Sequence, residues 1–180
     1  MAANLGEVAD LAGVAKGTLY RYFESKADLY VAVLADNGKV FSERMTQVAG
    51  IPGSAPERLH ALGRFYLAHW LNHKEYFQIF WAIDNQSVIG PLPPSAVEEV
   101  SRLWEASLSI LQQVLIRGVE DGELVVGDTW AASNILWTVA NAVIQSDGTA
   151  ARRNLRRGSL QDLYDQTLKT MIEGLKRSAA

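Results

Sequence analysis

Apolar residues recur at intervals of three and four along most of the chain, the period that gathers them on one side of an α-helix. One set is Tyr30, Val33, Leu34, Phe41, Met45 and Val48, and a second is Leu59, Leu62, Tyr66 and Trp70, with Phe65 and Leu71 on a neighbouring face. A third runs Val97, Val100, Leu103, Trp104, Leu108, Leu111 and Leu115, and a fourth Leu160, Leu163, Leu168, Met171, Ile172 and Leu175. Helix-start signals precede them. The first N–H groups of a helix lack internal partners, and a Ser or Asn followed three residues later by an acid satisfies them. That spacing occurs at Asn4/Glu7, Ser25/Asp28, Ser54/Glu57, Ser95/Glu98 and Ser159/Asp162, and Asp128 can cap alone. Breaks fall at Gly50-Ile51-Pro52-Gly53, at Gly90-Pro91-Leu92-Pro93-Pro94, over 118–127 and around Gly148. Asn37-Gly38 is a hairpin signal in isolation, but the helical pattern runs through it and implies a helix weakened by about 1 kcal/mol. The one strand-like scrap, Glu123-Leu124-Val125-Val126, is too short to make a sheet. The pattern predicts an all-α chain of about eight helices.

Residues 5–23 form a tighter unit. A short helix carrying Val8, Ala9 and Leu11 on or near its inner face is followed by a turn at Gly13. Val14 is expected to plug inward, and a second short helix, 16–23, holds Leu19 and Phe23 against the first. Two such helices joined by a glycine turn make a helix-turn-helix, whose second helix enters the DNA major groove. The outer face of that helix suits the task, with Lys16, Thr18, Tyr20, Arg21 and Tyr22, and with Lys26 just beyond. The whole chain is net negative, with 17 Lys and Arg against 20 Asp and Glu, which excludes a generally basic nucleic-acid binder. Between Ala15 and Lys26, however, three cations face Glu24 alone. Such local charge fits phosphate contact, and Arg21 can reach a guanine edge. The bland alternative is an ordinary helical hairpin with a mixed-charge surface.

The stretch Val8-Ala9-Asp10-Leu11-Ala12-Gly13-Val14-Ala15-Lys16-Gly17-Thr18-Leu19-Tyr20-Arg21-Tyr22-Phe23-Glu24-Ser25-Lys26-Ala27-Asp28-Leu29 closely resembles the helix-turn-helix of the tetracycline-repressor (TetR-like) family. Gly118-Val119-Glu120-Asp121-Gly122-Glu123-Leu124 is similar to the turn before that family's last two long helices. The resemblance implies a homodimeric transcription regulator, usually a repressor, released from a palindromic operator in double-stranded DNA by a small-molecule effector. It also passes the DNA-contact role to Ala15, Lys16, Gly17, Thr18, Tyr20, Arg21, Tyr22 and Lys26. Two departures matter. Ala15 stands where the family often has Ser or Thr, a difference of about 1 kcal/mol in local helix stability. Only Met1-Ala2-Ala3 precedes Asn4, so most of the family's first helix is expected to be missing. This supports an alternative function, a helical small-molecule-binding dimer with impaired DNA binding. The expected domains are 1–44, the helix-turn-helix with its connecting helix, and 45–180, a ligand-binding and dimerisation bundle. The helix over 25–48 joins them and is the expected lever, with Gly38 its weak point.

Aromatic residues crowd 65–81, and later tryptophans join them. Such rings fill cores, but together they also suit an apolar pocket. The pocket candidates are Phe65, Trp70, His73, Phe77, Phe80, Trp81, Trp104, Leu108, Trp137 and Asn141, and they imply a flat or hydrophobic effector. His69, Gln78, Asn85, Ser107, Asn134 and Thr138 are further polar handles, and Asn134, Thr138, Asn141 and Gln145 fall on one stripe that lines either a pocket or a dimer seam. Leu160, Leu163, Leu168, Met171, Ile172 and Leu175 are the dimer-interface candidates, since two such helices packed on their mates make a four-helix seam. His69 and His73 share a helical face but lack a third ligand, and Glu57-x-x-His60 lacks the second motif a di-iron site needs. No metal is therefore expected. Arg152, Arg153, Arg156 and Arg157 read as a solvated basic surface. There is no cysteine, nucleophile elbow, phosphate loop or dinucleotide fingerprint, so neither enzyme chemistry nor a cofactor is expected. The start of the chain is neither basic nor apolar, and no run spans a membrane, so a cytoplasmic location is expected.

Overall fold

A computed structural model of the chain describes residues 5–23, 25–85 and 92–176. The described residues form an all-α fold: α1 (Leu5–Leu11), α2 (Lys16–Tyr22), α3 (Lys26–Ala49), α4 (Ala55–Asn72), α5 (Lys74–Asn85), α6 (Pro94–Glu120), α7 (Thr129–Gln145), α8 (Ala150–Leu155) and α9 (Leu160–Leu175). A single turn of 3-10 helix, Ser146–Gly148, precedes α8. Glu123-Leu124-Val125-Val126 contributes one isolated bridge, Leu124 to Lys176, and no sheet.

The capping signals explain most of these boundaries. Ser25 and Asp28 exchange backbone–side-chain hydrogen bonds of 3.0 and 3.1 Å ahead of α3. Ser54 and Glu57 pair in the same way before α4. Ser159 and Asp162 form a complete capping box on α9, and the Asp128 carboxylate accepts from the N–H groups of Trp130 and Ala131 on α7. Asn4 lies outside the described residues. Ser95 does not cap, because α6 already begins at Pro94 and the Pro93 carbonyl accepts from Ala96 and Val97. Proline is preorganised for that first helical position, where its missing N–H is no loss. The Asn37-Gly38 pair leaves α3 unbroken.

The chain divides into two compact units, Met1–Val40 with His73–Trp104, and Phe41–Asn72 with Glu105–Ala180. In the first, Ala27, Val31, Leu34, Phe80, Ile83 and Val100 are buried. In the second, Leu59, Leu62, Leu67, Leu115, Leu136 and the α9 row Leu160, Tyr164, Leu168 and Ile172 are buried, and α9 packs on both α4 and α7. Arg153 and Arg156 fasten the segment between α7 and α9. The Arg153 guanidinium donates to the Asp147 carbonyl, and Arg156 pairs with the Asp147 carboxylate at 2.7 Å.

Two glycines in the second unit are places where backbone must come close. Gly118 lies inside α6 rather than at its end. A Cβ there would fall 2.6 Å from the Ala55 Cβ and 2.6 Å from Leu124 Cδ1. The Gly118 carbonyl accepts from the N–H groups of both Glu123 and Leu124, which turns Leu124 back into the core. Gly63 on α4 is equally tight, its absent Cβ being only 2.5 Å from Leu168 Cδ1.

Two outcomes follow. Gly118→Ala should lower the urea midpoint of unfolding, at a cost of about 1–3 kcal/mol for overpacking, with an unchanged denaturant slope. The second concerns acid. The Ser159 hydroxyl and N–H hold the Asp162 carboxyl below the usual carboxylate range. A carboxyl whose pKa is lower in the folded state stabilises above its unfolded pKa, and that contribution is lost as pH falls through the folded value. Ser159→Ala should therefore melt lower than the parent at neutral pH, with the gap narrowing below about pH 4 in thermal melts.

Candidate nucleic-acid interface and effector cavity

In the first unit, α1 and α2 meet through Ala9, which is fully buried. The turn between them depends on Gly13, whose φ of 66° lies in the left-handed region that side-chain-bearing residues avoid. The Val14 N–H then donates 3.0 Å to the Ala9 carbonyl, so the second helix starts from a fixed point. Leu19 and Phe23 are half-buried as expected, but Leu11, at 91% exposure, and Val14 lie outside. Two seven-residue helices are too short to cover more than the small residue at their crossing.

The face of α2 is open. Ala15, Lys16, Gly17, Tyr20, Arg21 and Tyr22 are exposed and Thr18 is half-buried; the side chain of Lys26 lies outside the described residues. Ala15 leaves the helix without a side-chain cap, as its methyl group requires. Lys16 Nζ lies 5.8 Å from the centre of the Tyr20 ring, and the Arg21 guanidinium 5.6 Å from that of Tyr22. Attraction to the ring faces steadies both cations on the exposed surface.

The second unit encloses a cavity of about 60 Å³ lined by α3, α4, α6, α7 and α9. Its wall is almost wholly aliphatic and aromatic, with Met45, Leu59, Leu62, Leu108, Leu111, Leu136 and Trp137. A hydrogen-bonded chain holds one side of it. The Tyr66 hydroxyl donates to Asn141 Oδ1 at 2.6 Å and accepts from Trp137 Nε1 at 3.1 Å. Burial pushes the Tyr66 hydroxyl well above the usual phenol range, so it keeps its proton. Of the ten pocket candidates, Leu108 and Trp137 line this cavity and Asn141 stands behind Tyr66. Phe65 and Trp70 pack instead around Phe41, with ring centres 5.4 and 6.0 Å away. His73, Phe77, Phe80, Trp81 and Trp104 belong to the first unit, where Phe80 stacks on Phe77, meets Trp81 edge-on and contacts Trp104. The aromatic crowd is thus two clusters in two units.

Other sequence expectations also divide. His73 falls between α4 and α5, so it does not share a helical face with His69, and Asn85's side chain lies outside the described residues. On α7, Asn141 is 4% exposed, whereas Thr138 and Gln145 are exposed, so the polar stripe serves two environments. On α9, Leu160, Leu168 and Ile172 are buried within the protomer, which corrects their assignment to a dimer face. Among the six, Leu163 is exposed and Met171 and Leu175 are half-buried. A wide apolar face here covers the chain's own core first. Ser107, one of the polar handles, also lines the cavity, and among the lining residues that were not pocket candidates are Met45, Leu59, Leu62, Gly63, Leu136 and Tyr164. Tyr164 completes the four-residue row from Leu160 to Ile172, a signal the leucines had obscured.

The helix pair α1 and α2 lies within a segment that is similar to a known family. Residues 2–33 match the family profile of bacterial regulatory proteins, tetR family. Over that stretch the chain is similar to the amino-terminal domain of the tetR family. Over 179 residues it is 23% identical to the fatty acid metabolism regulator protein of Bacillus subtilis (strain 168), covering 96% of this chain and 85% of that protein. It is 27% identical over 155 residues to the HTH-type transcriptional regulator NfxB of Pseudomonas aeruginosa, covering 84% and 78%. The fold matches a crystal structure of the transcriptional regulator FadR from Bacillus subtilis in complex with stearoyl-CoA. That match has a TM-score of 0.74 and 22% identity, and covers 96% of this chain and 89% of the other. The tetR-type helix pair is α1 and α2, and the proteins this chain resembles are regulators of transcription.

The polar chain beside the cavity makes a direct prediction. Tyr66→Phe removes the acceptor from Trp137 Nε1 and the donor from a buried Asn141, and should cost about 1–3 kcal/mol in chemical denaturation.

Proposed function

We propose that this protein is a ligand-responsive repressor that binds a palindromic operator as a homodimer and is released by a hydrophobic, acyl-type effector. The observation that carries the reading is the tetR-family match over residues 2–33, falling on a helix pair whose second member offers Lys16, Tyr20, Arg21 and Tyr22 to solvent, with Thr18 half-buried. Lys16, Thr18 and the backbone at Ala15 and Gly17 suit phosphate oxygens at the start of α2, together with Lys26, while Arg21 suits a guanine edge.

The cavity supports the effector half. Its wall is apolar and uncharged, and the FadR structure it resembles holds stearoyl-CoA. A space of about 60 Å³ accommodates a few waters and not an acyl chain, so occupation must select a form in which the helices stand further apart. A ligand that binds that form better draws the population towards it, and the DNA-binding form is depleted by the same factor.

Dimerisation is supported by what α7 and α9 leave uncovered. Ala131, Ile135 (58% exposed), Thr138 and Ala142 recur along one face of α7, and Leu163 (38% exposed) stands on α9. Two copies are needed to present recognition helices to major grooves roughly 34–36 Å apart. No described helix is long and apolar enough to cross a membrane, and a regulator of this kind works in the cytoplasm. The second reading, a ligand-binding dimer that no longer grips DNA, is favoured by the exposure of Leu11 on α1.

Selection from a random DNA pool, followed by titration at several salt concentrations, separates the two. The regulator reading expects an enriched palindrome bound with steep salt dependence, and release on adding stearoyl-CoA. No binding at low salt favours the second reading. Lys16→Ala should weaken binding to all sequences and lower the salt slope by about 1. Arg21→Ala should cost about 1–3 kcal/mol and relax the preference at one base pair of each half-site.

A further inference from the structure

Beside the cavity lies a buried polar atom that the bundle does not satisfy. Tyr164 on α9 lines the cavity beside Leu168 and Ile172 and is only 1% exposed, and its hydroxyl has no hydrogen-bond partner. Tyr66 on the same wall is satisfied twice over, by Asn141 and Trp137. Buried hydroxyls almost always find partners, and one left without any beside an apolar space is a donor waiting for a ligand acceptor. We infer that Tyr164 selects effectors that place a neutral carbonyl oxygen, that of an ester, thioester or ketone, within an otherwise apolar body, and that the site rejects a free carboxylate. The inference rests on the effector reading above and names the chemistry of that same site.

The charge argument follows from the wall. No Lys, Arg or His lines the cavity, so a carboxylate entering it would lose its water without gaining a cation, which is far more costly than burying a neutral carbonyl. Burial also raises the Tyr164 pKa, so the hydroxyl keeps its proton and can donate. A carbonyl oxygen needs only the one donor that Tyr164 has to offer.

The test is a titration of the full chain with methyl octanoate, octanoate and octane, read by tryptophan fluorescence. Methyl octanoate should bind about five- to tenfold more tightly than octane, the usual value of one buried hydrogen bond. Octanoate at neutral pH should bind more weakly than either. Tyr164→Phe should bring methyl octanoate to the level of octane while leaving octane itself unchanged. An infrared spectrum of carbonyl-labelled methyl octanoate on the unsubstituted protein provides a check that requires no variant, with the carbonyl band expected below its position in a hydrocarbon solvent. The inference is overturned if octanoate binds as tightly as the ester, if Tyr164→Phe weakens ester and octane equally, or if the carbonyl band does not move. If neither neutral probe binds, the effector reading falls and takes this one with it. If the ester and octane bind equally, only the role of Tyr164 falls.

Discussion

Leu168 of α9 lies against the bare backbone of Gly63 on α4, closer than any Cβ would allow. Much of the second unit depends on that approach. It brings α9 near enough for Tyr164, Leu168 and Ile172 to share a wall with Leu59, Leu62 and Tyr66 of α4. Gly118 makes a second such contact, holding α6 against the first residue of α4 and against Leu124. Beside the first of these contacts the helices leave a small space instead of filling it. Packed interiors resist continuous deformation, so such a space either stays shut or opens by moving whole helices.

How far the sequence could be read depended on how local the cause was. The caps at Ser25, Ser54, Asp128 and Ser159 are contacts between near neighbours in the chain, and each is where the spacing placed it. The turn at Gly13 and the buried Ala9 were legible for the same reason. The start of α6 was misread because Pro94 and Ser95 both make good helix beginnings, and the proline, one position earlier, won. The cavity was much less legible. Aromatic density pointed to Phe77, Phe80 and Trp81, yet those rings pack on one another in the first unit. Tyr66, Trp137 and Asn141 come together from helices 71 to 75 residues apart, a distance over which periodicity carries no information. The leucines of α9 show the same limit, since periodicity identifies an apolar face without saying whether its partner is the same chain or another copy.

The electrostatics of the two units differ in kind. On α2 the charged groups are exposed cations steadied by tyrosine rings, and on the regulator reading their reach into solvent would be the source of long-range attraction to phosphate. A chain with three more acids than bases can still present such a surface, because attraction at this range depends on the local field and not on the total. In the cavity the working groups are neutral hydroxyls, and burial keeps them neutral.

These differences constrain how ligand and DNA can influence one another. On the proposed reading the acyl part that enters the cavity carries no charge, so the coupling to DNA would not come from a charge buried there. What remains is a difference in shape between the forms that each partner prefers, and the ligand can contribute to that difference only through its unequal affinity for them. A cavity of about 60 Å³, with little room for an acyl chain, would on the proposed reading make that inequality large. The close approach at Gly63, which lines the cavity, would on that reading matter to regulation as well as to stability, because widening it at rest would give the effector a place in both forms and weaken the switch.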